Sequence, residues 1–399
     1  MMKSATALSA AQTSGDSKKK TDVPIRVCYF GTYRANYPRN KTMIERLRQQ
    51  GVEVVECHET LWHGIEDRVQ IGGGGWKSPR FWWRVVATYI RLLRRYSQVA
   101  NYDLLIVGYP GQPDMPLAKL LSTISGKPLV WDVMMSIYLI AEERGLAGRS
   151  KLGVRLIRAV ESLAFRLADW FIVDTPQYAE WYQKMYRIPA ERIRLVPLGA
   201  DDRLFQPSPQ PRPVDGVFRC VYYGTFIRNH GLEYVIEAAR ILQSDPSVQF
   251  ELIGRGPERE RIMALAESYG LQNVRFIEWM DVEDLVRHVA DSDLNLGSFG
   301  STPQALMTMQ NKVHESLAMG KAMVNGDSPV MRALLEHGKQ VYLCERENGE
   351  SLAEAIRAVR SDPELRRRLE QGGYEYYQRY LSMQCLGEQL KGYLEEFLG

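Results

Sequence analysis

The sequence is poor in the residues that build metal sites and disulfide frameworks. Its 399 residues include five cysteines and six histidines, and neither type recurs at the spacing of a metal-ligand motif. The cysteines are scattered and several fall within predicted strands, which is typical of small buried hydrophobic residues in a reducing compartment. We therefore predict no metal ion, no cofactor and no structural disulfide.

Long hydrophobic runs are also absent. No apolar stretch reaches the ~18 residues of a membrane span. Residues 1–23 are rich in Ser, Ala and Thr and lack the apolar core of a signal peptide, so we predict a disordered tail. This composition favours a cytoplasmic protein whose membrane contact, if it has one, is peripheral.

Charge is divided unevenly along the chain. Residues 24–205 contain 26 Lys/Arg against 18 Asp/Glu, a net charge of +8, whereas residues 206–399 contain 21 against 28, a net charge of −7. Charges segregated in this way indicate different partners for the two halves. We expect the basic half to face an anionic partner.

The chain alternates between strand and helix patterns. The first half has apolar strands at 25–30, 52–57, 104–108, 129–130 and 171–173, and the second half has helices at about 231–243, 257–269, 281–290, 311–319, 330–337, 351–361 and from 363 to the end. Alternation of this kind predicts an α/β fold with parallel sheets between helices. Closely spaced prolines after Phe205 predict a linker. We therefore divide the chain into 1–23, 24–205, 206–216, 217–382 and 383–399.

Glycine turns follow the predicted strands of the second half. They occur at Tyr223-Gly224-Thr225, at Asn229-His230-Gly231 and at Gly254-Arg255-Gly256. Such turns direct backbone amides to the carboxyl edge of a parallel sheet, where phosphates bind. Downstream, Lys312 and Glu315 share the first turn of a helix that ends at Gly320. A lysine beside a carboxylate suits a ligand that carries phosphates and sugar hydroxyls.

These motifs resemble those of the retaining nucleotide-sugar glycosyltransferases of family 4. Members of that family have two Rossmann-like domains that face each other across a cleft, the GT-B architecture. The resemblance covers nearly everything from Pro24 to the end of the chain. It implies a UDP- or GDP-sugar bound to the second domain, a retaining reaction that needs no metal ion, and a last helix that crosses back to the first domain.

The resemblance also implies which residues bind the donor. They are Gly224, Thr225, His230, Gly254, Arg255, Phe299, Gly300, Lys312 and Glu315. Among these, Arg255 and Lys312 are expected to be catalytic, because they would stabilise charge on the departing diphosphate.

Two features depart from the family pattern. Met307 stands where the first of two glutamates is expected, and Thr225 and His230 replace the usual arginine and lysine. We expect protonated His230 or Arg228 to supply part of the missing positive charge.

On the acceptor side, the strongest candidate is Asp132, at the end of a predicted strand. A carboxylate at the mouth of a strand can orient or deprotonate an acceptor hydroxyl, whereas the alternative interpretation is a helix N-cap. The candidates for contact with the acceptor are Tyr33, Arg34, Asn36, Asn40 and Tyr109.

A basic helix is predicted at residues 80–96. Arg80, Arg84, Arg91 and Arg95 fall in one arc, and Trp82, Val86, Tyr89 and Leu93 lie opposite. Two interpretations stay open. Either the apolar side packs on the sheet and leaves the arginines in water, or the arginines act with Trp82 and Trp83 to bind an anionic membrane surface.

Taken together, the sequence predicts a glycosyltransferase that acts on a lipid-linked or polysaccharide-precursor glycan at the inner face of the plasma membrane. The alternatives are a nucleotide-sugar epimerase of the same architecture, a sugar phosphorylase, and a non-catalytic scaffold that binds sugar nucleotides. The basic helix lacks a recognisable nucleic-acid-binding module around it, so we predict no nucleic-acid partner.

Overall fold

The chain forms two α/β units, which we describe separately. The computed structural model describes residues 24–61, 78–143, 145, 151–210 and 215–399. The C-terminal unit comprises Gly199–Cys385, and the N-terminal unit combines the described residues of Ser17–Leu198 with Leu386–Gly399. The predicted tail and part of the predicted linker lie outside the described residues.

The N-terminal unit contains a six-stranded parallel sheet. Its strands are β1 (Arg26–Gly31), β2 (Glu53–His58), β3 (Leu104–Val107), β4 (Leu129–Asp132), β5 (Trp170–Val173) and β6 (Ile193–Leu195), in the order β2-β1-β3-β4-β5-β6. Its helices are α1 (Pro38–Gln49), α2 (Pro79–Tyr96), α3 (Met115–Ser125), α4 (Ile137–Glu143), α5 (Lys151–Leu167) and α6 (Pro176–Tyr186). The central strands read as continuous apolar runs because both faces of the sheet are covered.

The strand order determines which face each helix covers. From β2 the chain crosses β1 to reach β3 and then advances in one direction to β6. Right-handed crossovers therefore place α2, α3, α5 and α6 on one face and α1 on the other.

The C-terminal unit repeats this plan. Its strands are β7 (Phe218–Tyr223), β8 (Val248–Ile253), β9 (Val274–Ile277), β10 (Leu294–Leu296), β11 (Met323–Gly326) and β12 (Tyr342–Cys344), in the order β12-β11-β10-β7-β8-β9. Its helices are α7 (Leu232–Leu242), α8 (Arg259–Ser268), α9 (Val282–Ala290), α10 (Pro303–Met307), α11 (Asn311–Ala318), α12 (Pro329–Leu334), α13 (Gly349–Ser361) and α14 (Pro363–Tyr380).

The last helix, α15 (Met383–Leu398), contributes to the core of the N-terminal unit from Leu386 onward. Leu390, Leu394 and Phe397 are buried with side chains of β1 and α1. The ring of Phe397 stacks on Trp170, with 4.6 Å between the ring centroids. Glu396 accepts a hydrogen bond from Arg194 Nε at 2.9 Å.

The predicted fold class is confirmed, and most element boundaries agree within a few residues. Gly320 follows α11 with a φ of +62°, as expected of a glycine that ends a helix. Two elements differ from the prediction. Helix α12 ends at Leu334 rather than at residue 337, and the segment after residue 363 forms two helices, α14 and α15, rather than one. Within the described residues, no helix has both the length and the hydrophobicity required to cross a bilayer.

We predict that Phe397→Ala destabilises the N-terminal unit by about 3–5 kcal/mol, because it removes a buried aromatic ring and leaves a cavity beside Trp170. The matched control is Leu398→Ala, since Leu398 is 40% exposed and its removal should have a small effect. Midpoints of urea denaturation would measure both changes. Equal midpoints for the two variants would contradict a stabilising role for α15.

Candidate active site

The C-terminal unit brings its glycine turns together at the carboxyl edge of its sheet. Strands β7 and β10 are neighbours, yet the chain continues from them in opposite directions, from β7 to β8 and from β10 to β11. Such a switch point leaves a crevice between loops, and open α/β sheets bind ligands there. The loops after β7, β8 and β10 and the first turn of α11 surround this point.

The turns contact one another through their backbones. A Cβ atom on Gly254 would lie 2.0 Å from Gly224 O, and one on Gly231 would lie 2.4 Å from Gly300 N. Gly254 and Gly231 also have φ values of +141° and +60°, which side-chain-bearing residues rarely adopt. Only glycine fits at both positions, so the loops form one closely packed floor.

Lys312 lies in the first turn of α11 beside this floor. Its Nζ is 3.7 Å from the centroid of the Tyr222 ring and would lie 3.3 Å from a Cβ atom on Gly224. The residue is 4% exposed, and its Nζ has no hydrogen-bond partner among the described residues. Burial lowers the pKa of Lys312 well below its usual value, and the Glu315 carboxylate opposes that shift. A buried ammonium without an acceptor is suited to bind an anion.

Glu315 lies on the same helix face as Lys312. Burial raises the pKa of Glu315 to about 7, although a hydrogen bond from Tyr223 and the charge of Lys312 lower it. Phe299 is buried in the loop after β10, and Arg346 holds that loop by donating to Gly300 O. The structure thus brings several of the predicted donor residues to one edge of the sheet.

The surroundings of His230 favour its neutral form. Its Nδ1 lies 2.7 Å from Thr225 O and 2.6 Å from the Tyr222 hydroxyl. Burial and the nearby Lys312 ammonium lower the pKa of His230 well below its usual value. A second positive charge is unfavourable beside Lys312 while no anion is bound, and protonation of His230 beside a bound diphosphate stays a prediction.

Arg255 is placed differently from the other donor candidates. Its Nε lies 3.1 Å from Glu278 Oε1 and its side chain is 62% exposed. The guanidinium also lies over the Trp279 ring, 5.7 Å from the centroid. Arg255 therefore contacts the segment after β9, and its catalytic role stays a prediction.

In the N-terminal unit, Asp132 lies in a buried ion pair. Arg39 Nη2 lies 2.7 Å from Asp132 Oδ1, and neither side chain is exposed. The same guanidinium donates to Val196 O at 2.7 Å. Asp132 thus ends β4 as predicted, but its carboxylate belongs to the core rather than to an open surface. An acceptor-orienting role for this carboxylate stays a prediction. Among the described residues its oxygens accept from Arg39 rather than from the N-terminus of a helix.

The predicted acceptor residues are mostly engaged within the unit. Asn40 accepts a hydrogen bond from Tyr109 N and donates to Tyr109 O, both at 2.9 Å. Tyr33 is buried and donates to Glu56 at 3.2 Å. Arg34 is half-buried, with its guanidinium 5.8 Å from the centroid of the Tyr37 ring, and Asn36 is exposed. Three of the five residues therefore stabilise loops at the carboxyl edge of the sheet.

Helix α2 has an exposed apolar face. Thr88 and Leu92 are its buried residues, whereas Trp82 is 53% and Trp83 is 75% exposed. The interpretation that Trp82 packs on the sheet is therefore wrong. Arg91 Nε pairs with Glu59 at 3.0 Å, Arg95 pairs with the same carboxylate, and Arg80 is exposed. The half-buried Arg84 lies over the Phe81 ring.

Two family models match the chain and together span most of it. Residues 39–204 match the model for Glycosyltransferase Family 4, and residues 208–376 match the model for Glycosyl transferases group 1. Each half of the chain therefore carries a glycosyltransferase domain, of the family 4 type in the first half and of the group 1 type in the second.

Two curated relatives of the chain are named as sugar transferases. The glycosyltransferase is 25% identical to alpha-D-kanosaminyltransferase of Streptomyces kanamyceticus over 287 residues, which are 69% of this chain and 72% of the relative. It is 28% identical over 164 residues to the lipopolysaccharide core biosynthesis glycosyltransferase LpsD of Rhizobium meliloti, which covers 41% of this chain and 45% of the relative.

Two solved structures share the fold. Sucrose-phosphate synthase from Thermosynechococcus elongatus aligns with a TM-score of 0.70 and 17% identity, covering 94% of this glycosyltransferase and 98% of that chain. HepE from Anabaena, solved in complex with UDP-glucose, aligns with a TM-score of 0.65 and 17% identity, covering 94% and 99%. At these identities the likeness shows the GT-B-like fold with two Rossmann-like sheets.

Sequence reasoning missed two residues that organise the N-terminal unit of the glycosyltransferase. Arg39 was not predicted to be buried, because a charged residue in the first turn of a helix usually faces water. Asp174 follows β5 and is buried near Arg39, and burial raises its pKa to about 7 although the Arg39 charge lowers it. The sequence signal was the shared position of Asp132 and Asp174 at the carboxyl ends of neighbouring strands.

We predict that Asp132→Asn destabilises the N-terminal unit by about 3–5 kcal/mol, because it leaves the buried Arg39 guanidinium without its counter-charge. The matched control is Asp174→Asn. The pKa of Asp174 is raised to about 7 in the folded protein. The free energy of unfolding therefore falls as pH rises from about 4 to 7, because the carboxyl ionises more readily in the unfolded chain. Asp174→Asn should therefore leave stability unchanged at pH 4 and raise it at pH 8. Chemical denaturation at both pH values measures these changes. If Asp132→Asn were as stable as the wild type, the buried-pair interpretation would be contradicted.

Proposed function

We propose that this glycosyltransferase moves a sugar from a UDP- or GDP-sugar to a hydroxyl of a lipid-linked or polysaccharide-precursor glycan. The reaction retains anomeric configuration, needs no metal ion, and takes place at the inner face of the plasma membrane. The observation that carries the donor assignment is the buried Lys312 ammonium beside the glycine floor. HepE, which shares the fold, was solved with UDP-glucose, and this supports a nucleotide-sugar donor.

The Lys312 site supplies what a departing nucleoside diphosphate requires. Negative charge grows on the diphosphate as the bond from the sugar C1 to the phosphate oxygen breaks. Lys312 and the backbone amides of the glycine turns are fixed before the reaction, so they stabilise that charge without reorganisation. Glu315 lies close enough to Lys312 to accept hydrogen bonds from the ribose hydroxyls of the same nucleotide.

The acceptor hydroxyl must lose its proton as it bonds to C1. The buried Asp132 carboxylate is occupied by Arg39, which favours transfer of this proton to an oxygen of the leaving diphosphate. In that role Asp132 positions the acceptor loops through Arg39 rather than acting as the base. Proton transfer to the leaving group is the expectation for a retaining enzyme of this family.

Three neighbouring helices of the N-terminal unit support the membrane proposal. Of the sixteen large hydrophobic side chains exposed in the described part of the chain, eleven lie on α2, α3 and α5, which cover one face of the sheet. They are Trp82, Trp83, Val86, Ile90 and Leu93 on α2, Leu120 and Ile124 on α3, and Leu152, Leu156, Val160 and Leu163 on α5. Patches of this kind mark interaction surfaces. We call these eleven side chains the apolar face.

Basic side chains border the apolar face. On α2 the arginines turn toward β2, because Arg91 and Arg95 contact Glu59 just after that strand. On the opposite flank of α2, Tyr89 donates to Asp114 Oδ1 at 2.7 Å, beside the start of α3. Helical spacing places Lys151 and Arg155 on one side of the apolar stripe of α5. An apolar centre with cationic margins fits a membrane that carries anionic headgroups.

A non-catalytic scaffold and an epimerase remain the competing functions. The unpaired Lys312 ammonium would also serve a protein that only binds sugar nucleotides. Slow release of nucleoside diphosphate from the donor in the absence of an acceptor distinguishes a transferase from a scaffold, which releases none. An epimerase would instead convert the free donor without transferring it.

We expect Lys312→Ala to cut turnover by roughly tenfold to a thousandfold, because one lost charge-stabilising group costs a few kcal/mol in the transition state. Thermal shifts with a panel of UDP- and GDP-sugars first identify the donor, and diphosphate release then measures turnover. Arg255→Ala should have a smaller effect, since Arg255 contacts Glu278. The control is Lys339→Ala, an exposed lysine paired with Glu336. Full activity of Lys312→Ala would refute the donor site.

We predict that the protein sediments with anionic liposomes and that the binding weakens at high salt. Each basic residue near an anionic surface contributes about 1 kcal/mol, so changing Arg80, Arg84, Arg91 and Arg95 to glutamine should abolish most of it. Serine at Trp82 and Trp83 should remove the salt-resistant remainder. The control changes Arg275, Arg287, Arg332 and Arg367, which are at least 70% exposed in the other unit, to glutamine. Equal sedimentation of both arginine variants would rule out this docking surface.

A further inference from the structure

His230 lies in the candidate donor site, and the charge of its imidazole depends on pH. It ends the short turn Arg228–His230 after β7, and its Nδ1 lies 2.7 Å from Thr225 O. Because a carbonyl oxygen only accepts hydrogen bonds, the hydrogen of the neutral ring lies on Nδ1. Both hydrogen bonds of the imidazole use Nδ1, so within the described residues the other nitrogen, Nε2, is left as a free acceptor.

The groups that contact the His230 imidazole are neutral, and charged side chains lie on the elements packed near it. Tyr222 on β7 contacts its Nδ1 at 2.6 Å, and Lys312 on α11 lies over the face of that same tyrosine. From the segment after β12, Arg346 donates to Gly300 O. Glu347, which follows it, pairs with Ser301. Arg228, in the same turn as His230, is exposed. No carboxylate contacts the imidazole within the described residues. The hydrogen bond to Thr225 O favours the protonated form, but burial and the Lys312 charge outweigh it and keep the pKa of His230 below its usual value.

We propose that His230 takes up one proton from solvent when the diphosphate of the donor binds, so that the site acquires a second cation together with its ligand. This inference rests on the proposed function, because it requires a nucleoside diphosphate at Lys312. Protonation gives Nε2 a hydrogen that it donates to a phosphate oxygen, while the Nδ1 hydrogen keeps its bond to Thr225 O. The anionic ligand neutralises the repulsion between His230 and Lys312 that opposes protonation of the free site.

The proton linkage fixes the direction of the pH dependence. Ligand binding raises the pKa of His230, so protons are taken up at any pH between the free and the bound values. Affinity for a nucleoside diphosphate therefore rises as pH falls through that interval, by up to about tenfold per pH unit for one linked proton. A lysine at this position has an ordinary pKa about four units above that of histidine, so it would stay charged to a higher pH and the dependence would be weaker.

Titration calorimetry with UDP and GDP at pH 7.5 tests the proposal. Measurements in buffers of different ionisation enthalpy count the protons taken up per nucleotide bound. We expect uptake by the wild type. The amide of His230→Asn can still donate to Thr225 O. Per nucleotide bound, this variant should take up fewer protons than the wild type, by at most one, and it should bind about tenfold more weakly. His230→Lys should bind as tightly as the wild type, with a smaller dependence on pH. His337→Gln is the control and should match the wild type.

The outcomes separate this inference from the function on which it rests. If neither nucleotide binds the wild type, the donor proposal fails and this one fails with it. If a nucleotide binds and His230→Asn takes up as many protons as the wild type, only the role of His230 is overturned. Uptake that persists in His230→Asn and disappears in Lys312→Met would assign the proton to Lys312 instead.

Discussion

The candidate donor site depends on the closeness of two backbones. Gly254 lies so near Gly224 that a single methyl group between them would have to occupy the space of the Gly224 carbonyl oxygen. That contact sets the distance between the loops after β7 and β8. Because both loops are fixed, Lys312 can be buried over Tyr222 without a protein acceptor. A site built this way is organised before any ligand arrives, which is the condition for electrostatic stabilisation of a leaving group.

The N-terminal unit has a comparable fixed point in the pair of Arg39 and Asp132. One guanidinium joins the start of α1, the end of β4 and the chain just after β6. Buried ion pairs contribute little net stability compared with apolar packing, although breaking one is costly. Their value here is geometric, because three segments are held at defined positions, and two of them, the start of α1 and the end of β4, bear candidate acceptor residues.

Sequence patterns predicted the fold more successfully than the contacts of individual side chains. Apolar runs, glycine turns and helix periodicity predicted both sheets, since these signals depend on neighbours along the chain. The same signals placed Lys312 and Glu315 on one helical turn. They did not reveal that Asp132 would be paired, since its partner Arg39 is distant in sequence. They also left the orientation of α2 open, because an aromatic and aliphatic stripe predicts burial equally well against a sheet or against a partner.

The course of α15 bears on how the protein folds as it is synthesised. Domains commonly fold in order as they leave the ribosome, but part of the core of the N-terminal unit comes from Leu390, Leu394 and Phe397. Until α15 has left the ribosome, the surface of the N-terminal unit against which it packs must remain uncovered. All strands of the C-terminal unit have therefore been synthesised while the core of the N-terminal unit still lacks α15. Completion of the N-terminal unit then has to wait for the synthesis of α15.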